Sequence, residues 1–425
     1  MRSWLLHFLL GASMLLAACE PTGTQVPPDV TPGPTATRPS LGVTPPSTSP
    51  EAVALTLWLP PGLDPTSSAP AAALLEERLS DFERANPGLM VIVRIKDESG
   101  QAGLLETLSA AAEAAPASMP DLIALDAAGI RAAALKALIA PLEGLDADLA
   151  SSEWYDFAHA ASLVDASFYA VPFAADAEIV GFRVEAYGSS PLTWDEILAS
   201  QSLFVFPAAD PNASVTLAQY LSLGGSLVDT SGRPTLDPTV LAEALSFYRA
   251  ARDAGVLPLS ARQFETELET WQAVLDGRAQ AGLTRLSALL AANDASLDGS
   301  PLLPSVDSPP ICFVDTWSWA IVARDPTRQA LAAQLLAWLS APEFLGPWTE
   351  ALGLLPPTAS ALELWPSGPR ASLASRLVVA ATPRPSEEIT ATLGVPLRDA
   401  AEAVLGGTMT PQAAALAASQ DLLSP

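Results

Sequence analysis

The chain has 425 residues, 47 of them acidic and 21 basic, for a formal net charge of −26. That excess repels phosphate backbones and anionic headgroups, which argues against nucleic-acid binding and electrostatic membrane binding, while 49% hydrophobic residues set the chain apart from disordered compositions. Two cysteines and two histidines leave little for zinc, iron–sulfur or disulfide chemistry, so no metal site and no cofactor is expected, and the length suits two or three domains.

Residues 1–18 follow the order of a secretory signal: Arg2, an apolar stretch from Trp4 to Leu16, then Ala17 and Ala18. Leu16-Ala17-Ala18-Cys19 resembles the bacterial lipobox, in which the cysteine is lipidated and becomes the mature N-terminus. Cys19 is therefore the expected membrane anchor, and Cys312 is left without a disulfide partner. Residues 19–52 read as the lipidated cysteine and a tether. Among residues 20–52, nine are proline and seven threonine, a composition that favours extended polyproline segments of about 3.1 Å per residue.

From Val53 onward strand-like and helix-like patterns alternate. Val53–Leu59 alternates as a strand does, residues 71–85 place Leu75, Leu79 and Phe82 on one helical face, and Asn86-Pro87-Gly88 stops that helix. Leu89–Ile95 and 121–126 read as buried strands. Residues 101–115 and 129–140 read as helices, the second ended by Pro141. This βαβα rhythm predicts a parallel sheet covered by helices, an α/β fold. Farther on, Thr193-Trp194-Asp195-Glu196 forms a capping box, and Asp237, Asp325 and Thr410 each precede a proline at a helix start. Gly255 is placed to end the helix begun at Asp237. Strands are predicted at 201–207, 279–284 and 312–323, and a mainly helical C-terminal segment follows.

Several segments, taken in order, resemble family 1 extracellular solute-binding proteins of ABC importers, the maltose-binding-protein-like group. They include Asp81-Phe82-Glu83-Arg84-Ala85-Asn86-Pro87-Gly88, Met119-Pro120-Asp121-Leu122-Ile123, Phe168-Tyr169-Ala170-Val171-Pro172-Phe173, Leu192-Thr193-Trp194-Asp195-Glu196, Trp317-Ser318-Trp319-Ala320-Ile321 and Gly406-Gly407-Thr408-Met409-Thr410-Pro411. The series spans about residues 53–420. It departs from the family at Ala170, where glycine is usual, and at Phe182-Arg183, where a Tyr-Asn pair is usual.

The resemblance implies a two-lobed type II periplasmic-binding-protein-like fold with a ligand cleft between the lobes. By analogy the first lobe holds 53–175 plus 312–357, and the second 177–310 plus 359–425. The function implied is that of a substrate-binding lipoprotein, a monomer on the outer face of the cytoplasmic membrane. It would capture a solute, a sugar or oligosaccharide foremost, by hinge closure and hand it to an ABC permease with its ATPase subunits.

A sugar site calls for aromatic plates and hydrogen-bond acceptors. Trp317 and Trp319 are two apart in one strand and face the same side, so both are candidate plates. Trp58 lies opposite Leu57 and Leu59 near the carboxyl end of its strand, where open α/β sheets bind ligands, and Trp271 is a further candidate. Among polar groups, Asp176 matches a family position beside a lobe crossing that often supplies a ligand-binding carboxylate. Asp126 and Asp64 follow strand ends, and Arg285 could donate to a ligand.

Enzyme chemistry has little support. His159 is the only histidine beyond the signal, no GxSxG, GxxxxGK[ST] or GxGxxG motif occurs, and no residue is assigned as catalytic. The competing readings are a cell-surface glycan-binding or adhesin lipoprotein without a transport role, and a glycoside hydrolase using two carboxylates. For the latter Asp176 and Glu178 have pair spacing, but they read as a ligand contact and a surface charge.

Overall fold

The computed structural model describes residues 53–143, 149, 153–188 and 192–422; the signal segment, Cys19 and the tether lie outside them. Nine strands build the main sheet: β1 (Val53–Leu59), β2 (Leu89–Ile95), β3 (Leu122–Asp126), β4 (Val171–Arg183), β5 (Phe204–Val205), β6 (Ala281–Arg285), β7 (Leu297–Ser300), β8 (Cys312–Ile321) and β9 (Ala381–Pro383). Their order is β2-β1-β3-β8-β4-β6-β5, with β7 paired to β4 and β9 to β8. Strands β2, β1 and β3 are parallel, as are β5 with β6 and β9 with β8. The parallel sheet predicted from the alternating pattern holds for β2, β1 and β3 and is corrected at β8 and β4. These two long strands run antiparallel to each other, β8 also to β3, and β4 also to β6. They enter from the far half of the sheet and so meet their neighbours head-on.

The same two strands divide the core. In the first half of the sheet Leu55, Leu57, Phe173, Trp319 and Ile321 pack on one face, and Trp58, Ile123, Leu125 and Ala320 on the other. In the second half Val180, Phe182, Leu283 and Phe313 pack on one face, and Ala177, Ile179, Cys312 and Val314 on the other. Both strands therefore leave one pair of cores and enter another, and the change falls at Ala175–Asp176 in β4 and Asp315–Thr316 in β8. Those residues are register partners, Asp315 with Asp176 and Thr316 with Ala175. A third segment crosses beside them, where Leu355 and Ala175 exchange backbone hydrogen bonds of 2.9 and 2.8 Å. Two lobes joined by three neighbouring crossings result.

Most helix starts follow the sequence signals. Thr193 and Glu196 form the capping box, and the side chains of Asp237, Asp325 and Thr410 accept from the first helical amides. Gly255 sits at φ +74°, as a helix terminator needs. The helix predicted over 129–140 runs instead over Ala127–Leu135. Asp126 caps it through the Gly129 amide at 2.7 Å, and Ala137 at φ +52° turns the chain before Pro141 is reached. The strand predicted over 201–207 contracts to Phe204–Val205. Among the described residues no helix is long and apolar enough to cross a membrane.

Candidate functional site

The exposure pattern along the crossing strands defines an opening. On β8 every residue from Cys312 to Ile321 is buried except Asp315 and Trp317. On β4 every residue from Val171 to Phe182 is buried except Asp176. Along one face of β8 the order is Phe313, Asp315, Trp317, Trp319. Its ends are locked into the two lobe cores, Phe313 at 1% exposure and Trp319 at 0%, while the middle pair is half-exposed. The opposite face of the crossing is covered by the helix Asp156–Ser162, which packs on β8, β4 and β9. Asp176, Asp315 and Trp317 thus form the floor of the candidate cleft where the lobes meet.

Charged side chains organise that floor. Asp315 accepts from the Arg384 Nε at 2.8 Å and from the Arg285 guanidinium on its other oxygen. Arg285 also donates to Glu267 at 2.9 Å, and Arg384 to Glu178 at 2.8 Å and Ser214 at 3.2 Å. Asp176 accepts from the Ser287 hydroxyl at 2.6 Å and its amide at 3.1 Å. Burial would lift the Asp315 carboxyl, but the Arg384 and Arg285 charges outweigh it and hold it below the ordinary range. Glu267 likewise ends below its usual value: burial raises it, but the Arg285 bond, its own backbone amide and the Arg285 and Arg384 charges together outweigh burial. Asp176 goes the other way: burial raises it, the Ser287 bonds and Arg285 oppose, and Asp315 adds repulsion.

The remaining candidates separate by depth. Asp126 lies in register with Trp317 at the end of β3. Its side chain is exposed yet its carboxyl is raised, by burial of its inner side first and then by the Asp315 and Glu387 charges, with the Gly129 amide opposing. Asp126, Trp317, Asp315, Asp176 and Arg285 are therefore brought together. Arg285 is not an unpaired cation, because Glu267 and Asp315 hold it.

Four candidates are not brought there. Trp319 stacks on Phe173 at 4.2 Å inside the first lobe; it faces the same side as Trp317, but two more residues carry it past the cleft wall. Trp58 does lie opposite Leu57 and Leu59, but helices cover both faces of this sheet. Its ring is 2% exposed, under the Lys96 ammonium at 5.1 Å. Trp271 packs against Gly181 in the second lobe, where a Cβ on Gly181 would stand 2.5 Å from the ring. Asp64 closes a local turn by accepting from the Thr66 amide and hydroxyl. Glu178, read as a surface charge, is a correction too: it is 7% exposed at its side chain and paired to Arg384. Cys19 lies outside the described residues.

Sequence reasoning missed Asp315, Arg384 and Glu267. For Asp315 a signal existed: the one charged residue inside the strand Cys312–Ile321 is costly to bury unless something faces it. Arg384 and Glu267 come from distant segments, and only the fold brings them near.

A mixed sheet in two halves, joined by shared strands and opened where they cross, defines a two-lobed binding protein. Residues 77–371 match the profile of the bacterial extracellular solute-binding proteins, and the chain belongs to that family. No curated protein sequence matches it. Among solved structures it is similar to the cyclic alpha-maltosyl-1,6-maltose binding protein from Arthrobacter globiformis (TM-score 0.69, 16% identity, 87% of this chain and 98% of that one). It is also similar to the maltodextrin binding protein MalE1 from L. casei BL23 (TM-score 0.69, 14% identity, 88% and 100%). The sugar-binding protein MalE from Xanthomonas citri gives a TM-score of 0.68 at 18% identity over 87% and 96% of the two chains. At these identities the likeness establishes the fold.

Proposed function

We propose that this solute-binding protein is the lipid-anchored receptor of an ABC importer and captures a sugar or oligosaccharide in the cleft. In this reading 53–175 plus 316–357 form the first lobe and 177–315 plus 359–425 the second; the boundary expected at 312 moves to Asp315–Thr316 because Cys312, Phe313 and Val314 pack in the second half. Cys19 carries the lipid, the tether spaces the body from the membrane, and the closed form engages the permease and its ATPase subunits. The chain acts as a binder, not a catalyst.

One observation supports this reading above others: short of the terminal Arg183, the breaks in burial along the two crossing strands are an indole and two carboxylates. An aromatic face beside acceptors is the chemistry that a hydroxyl-edged apolar ring requires. Sugar-binding neighbours of the same fold agree with it. Closure follows if the ligand touches both lobes, since only a higher affinity for the shut state shifts the population.

The test is a thermal-shift screen with maltodextrins, other oligosaccharides, polyols and sugar phosphates, followed by small-angle scattering. A matching sugar should raise the melting temperature and reduce the radius of gyration. No response across the panel would remove the receptor reading, and release of reducing ends would favour a hydrolase. Cys19→Ala should move the protein from membranes to the soluble fraction; continued membrane association would overturn the anchor.

A further inference from the structure

We infer that Asp315 is the cleft's principal acceptor for ligand hydrogen-bond donors, and that Arg285 and Arg384 are positioning residues that hold it, so the cleft selects uncharged, donor-rich molecules over anionic ones. This rests on the interlobe cleft being the solute site.

The arginines look at first like ligand donors, but carboxylates already balance their charges. Arg384 directs Nε to Asp315, one terminal nitrogen to Glu178 and the other to Ser214, with its Cζ 5.6 Å from the Phe313 ring centroid. Arg285 is held between Glu267 and Asp315. An anion entering the cleft would therefore meet two guanidinium groups already matched by carboxylates, with Asp176 and Asp126 adding repulsion.

Asp315 is in the opposite situation. Each of its oxygens accepts from one arginine, and a carboxylate oxygen has two acceptor sites, so one on each oxygen is left. Its side chain is 35% exposed, and its neighbours on that strand face are Phe313, closed into the core, and Trp317, half-open. The free acceptor sites thus open onto the cleft, beside the indole. Two ion pairs fix the side chain in advance, so a ligand hydroxyl meets an ordered, charged acceptor without the entropy cost of ordering it. At the ordinary strand rise, Asp315 and Trp317 stand roughly 7 Å apart along the strand, a span that lets one sugar ring lie on the indole and reach the carboxylate.

The charged groups facing Asp315 are Arg384 from the segment after β9, Arg285 from β6, Asp176 from β4 and Asp126 from β3. The experiment is isothermal titration of the full chain with maltotriose and with maltotrionic acid, the same trisaccharide ending in a carboxylate. Maltotriose should bind, and maltotrionate should bind about tenfold or more weaker. Asp315→Asn should weaken maltotriose by about tenfold or more, the loss of one charge-assisted hydrogen bond. Arg384→Gln should weaken it too, with Arg384→Lys recovering part. Asp315→Asn binding within about twofold of the parent, or equal affinity for maltotrionate, would overturn the inference.

If maltotriose gives no heat, the choice of sugar fails and the positioning claim is judged without ligand. Carbon-13 NMR should show the Asp315 carboxyl titrating below the ordinary range and moving up in Arg384→Gln, less in Arg384→Lys. An unmoved titration would show that the arginines do not hold Asp315, and would overturn the claim.

Discussion

Two positions on one strand face separate Trp317 from Trp319, and depth alone divides their roles. Trp319 belongs to an aromatic stack with Phe173 at 4.2 Å and Trp348 at 6.2 Å. Trp319→Ala should lower stability by about 3–5 kcal/mol, the usual cost of emptying a large core site, measured by urea denaturation. Trp317→Ala should cost far less stability but abolish the thermal shift given by any sugar that binds the parent protein. Equal destabilisation by the two changes would contradict the assignment of Trp317 to the cleft floor.

Acid sensitivity also belongs to single residues. Asp315 and Glu267 titrate below their ordinary values in the folded protein, so on acidification the unfolded chain binds protons first. Their contribution is present above the unfolded carboxyl range and lost as pH falls through the lower, folded values. Asp176 is raised by burial and works in the opposite sense, favouring the folded state where it is protonated. In Asp315→Asn the fall of melting temperature between roughly pH 5 and pH 2 should therefore be shallower. An unchanged slope would mean that the arginine pairs do not depress Asp315.

Helix boundaries were legible wherever one residue both starts the helix and satisfies its amides. Asp325 accepts from the Thr327 amide at 3.0 Å and the Arg328 amide at 3.1 Å; Asp325→Ala should cost about 1 kcal/mol, read as a lower denaturant midpoint at constant slope. Boundaries set by tertiary contact were less legible. The helix at Ala127 starts early because the last residue of β3 is also its cap, and it stops early at a left-handed alanine that no local rule predicts. Gly181 gives a related case: nothing around it in sequence marks a need for glycine, yet Trp271 from a helix some ninety positions away occupies its missing side chain. Gly181→Ala should destabilise by about 1–3 kcal/mol through overpacking, and pairing it with Trp271→Leu should recover part of that loss in the same denaturation assay.

At the scale of the molecule, the lobes meet through three neighbouring chain crossings, at Ala175–Asp176, Asp315–Thr316 and Leu355. Register on β8 shifts against β4 between Trp317 and Ser318. Such an irregularity bends and twists a ladder locally, and here it lies on the first-lobe side of the arginine-held Asp315. Rotation between the lobes should therefore be absorbed around Trp317. Distances between spin labels on the two lobes should shorten on ligand binding, while amide exchange around Asp315 stays slow and that around Ser318 changes. Changes confined to the Asp315 side would place the pivot elsewhere.

By itself the sequence determined the elements and their family. Local spacing, caps and the ordered motif series depend on neighbours in the chain, and these can be read in one dimension. The tertiary structure alone decided which aromatic rings reach the cleft and which charges hold its floor. A tryptophan in a strand looks the same whether helices cover it or solvent meets it. The partners of Asp315 arrive from Arg285 and Arg384, segments whose meeting is fixed only when two lobes pack around shared strands.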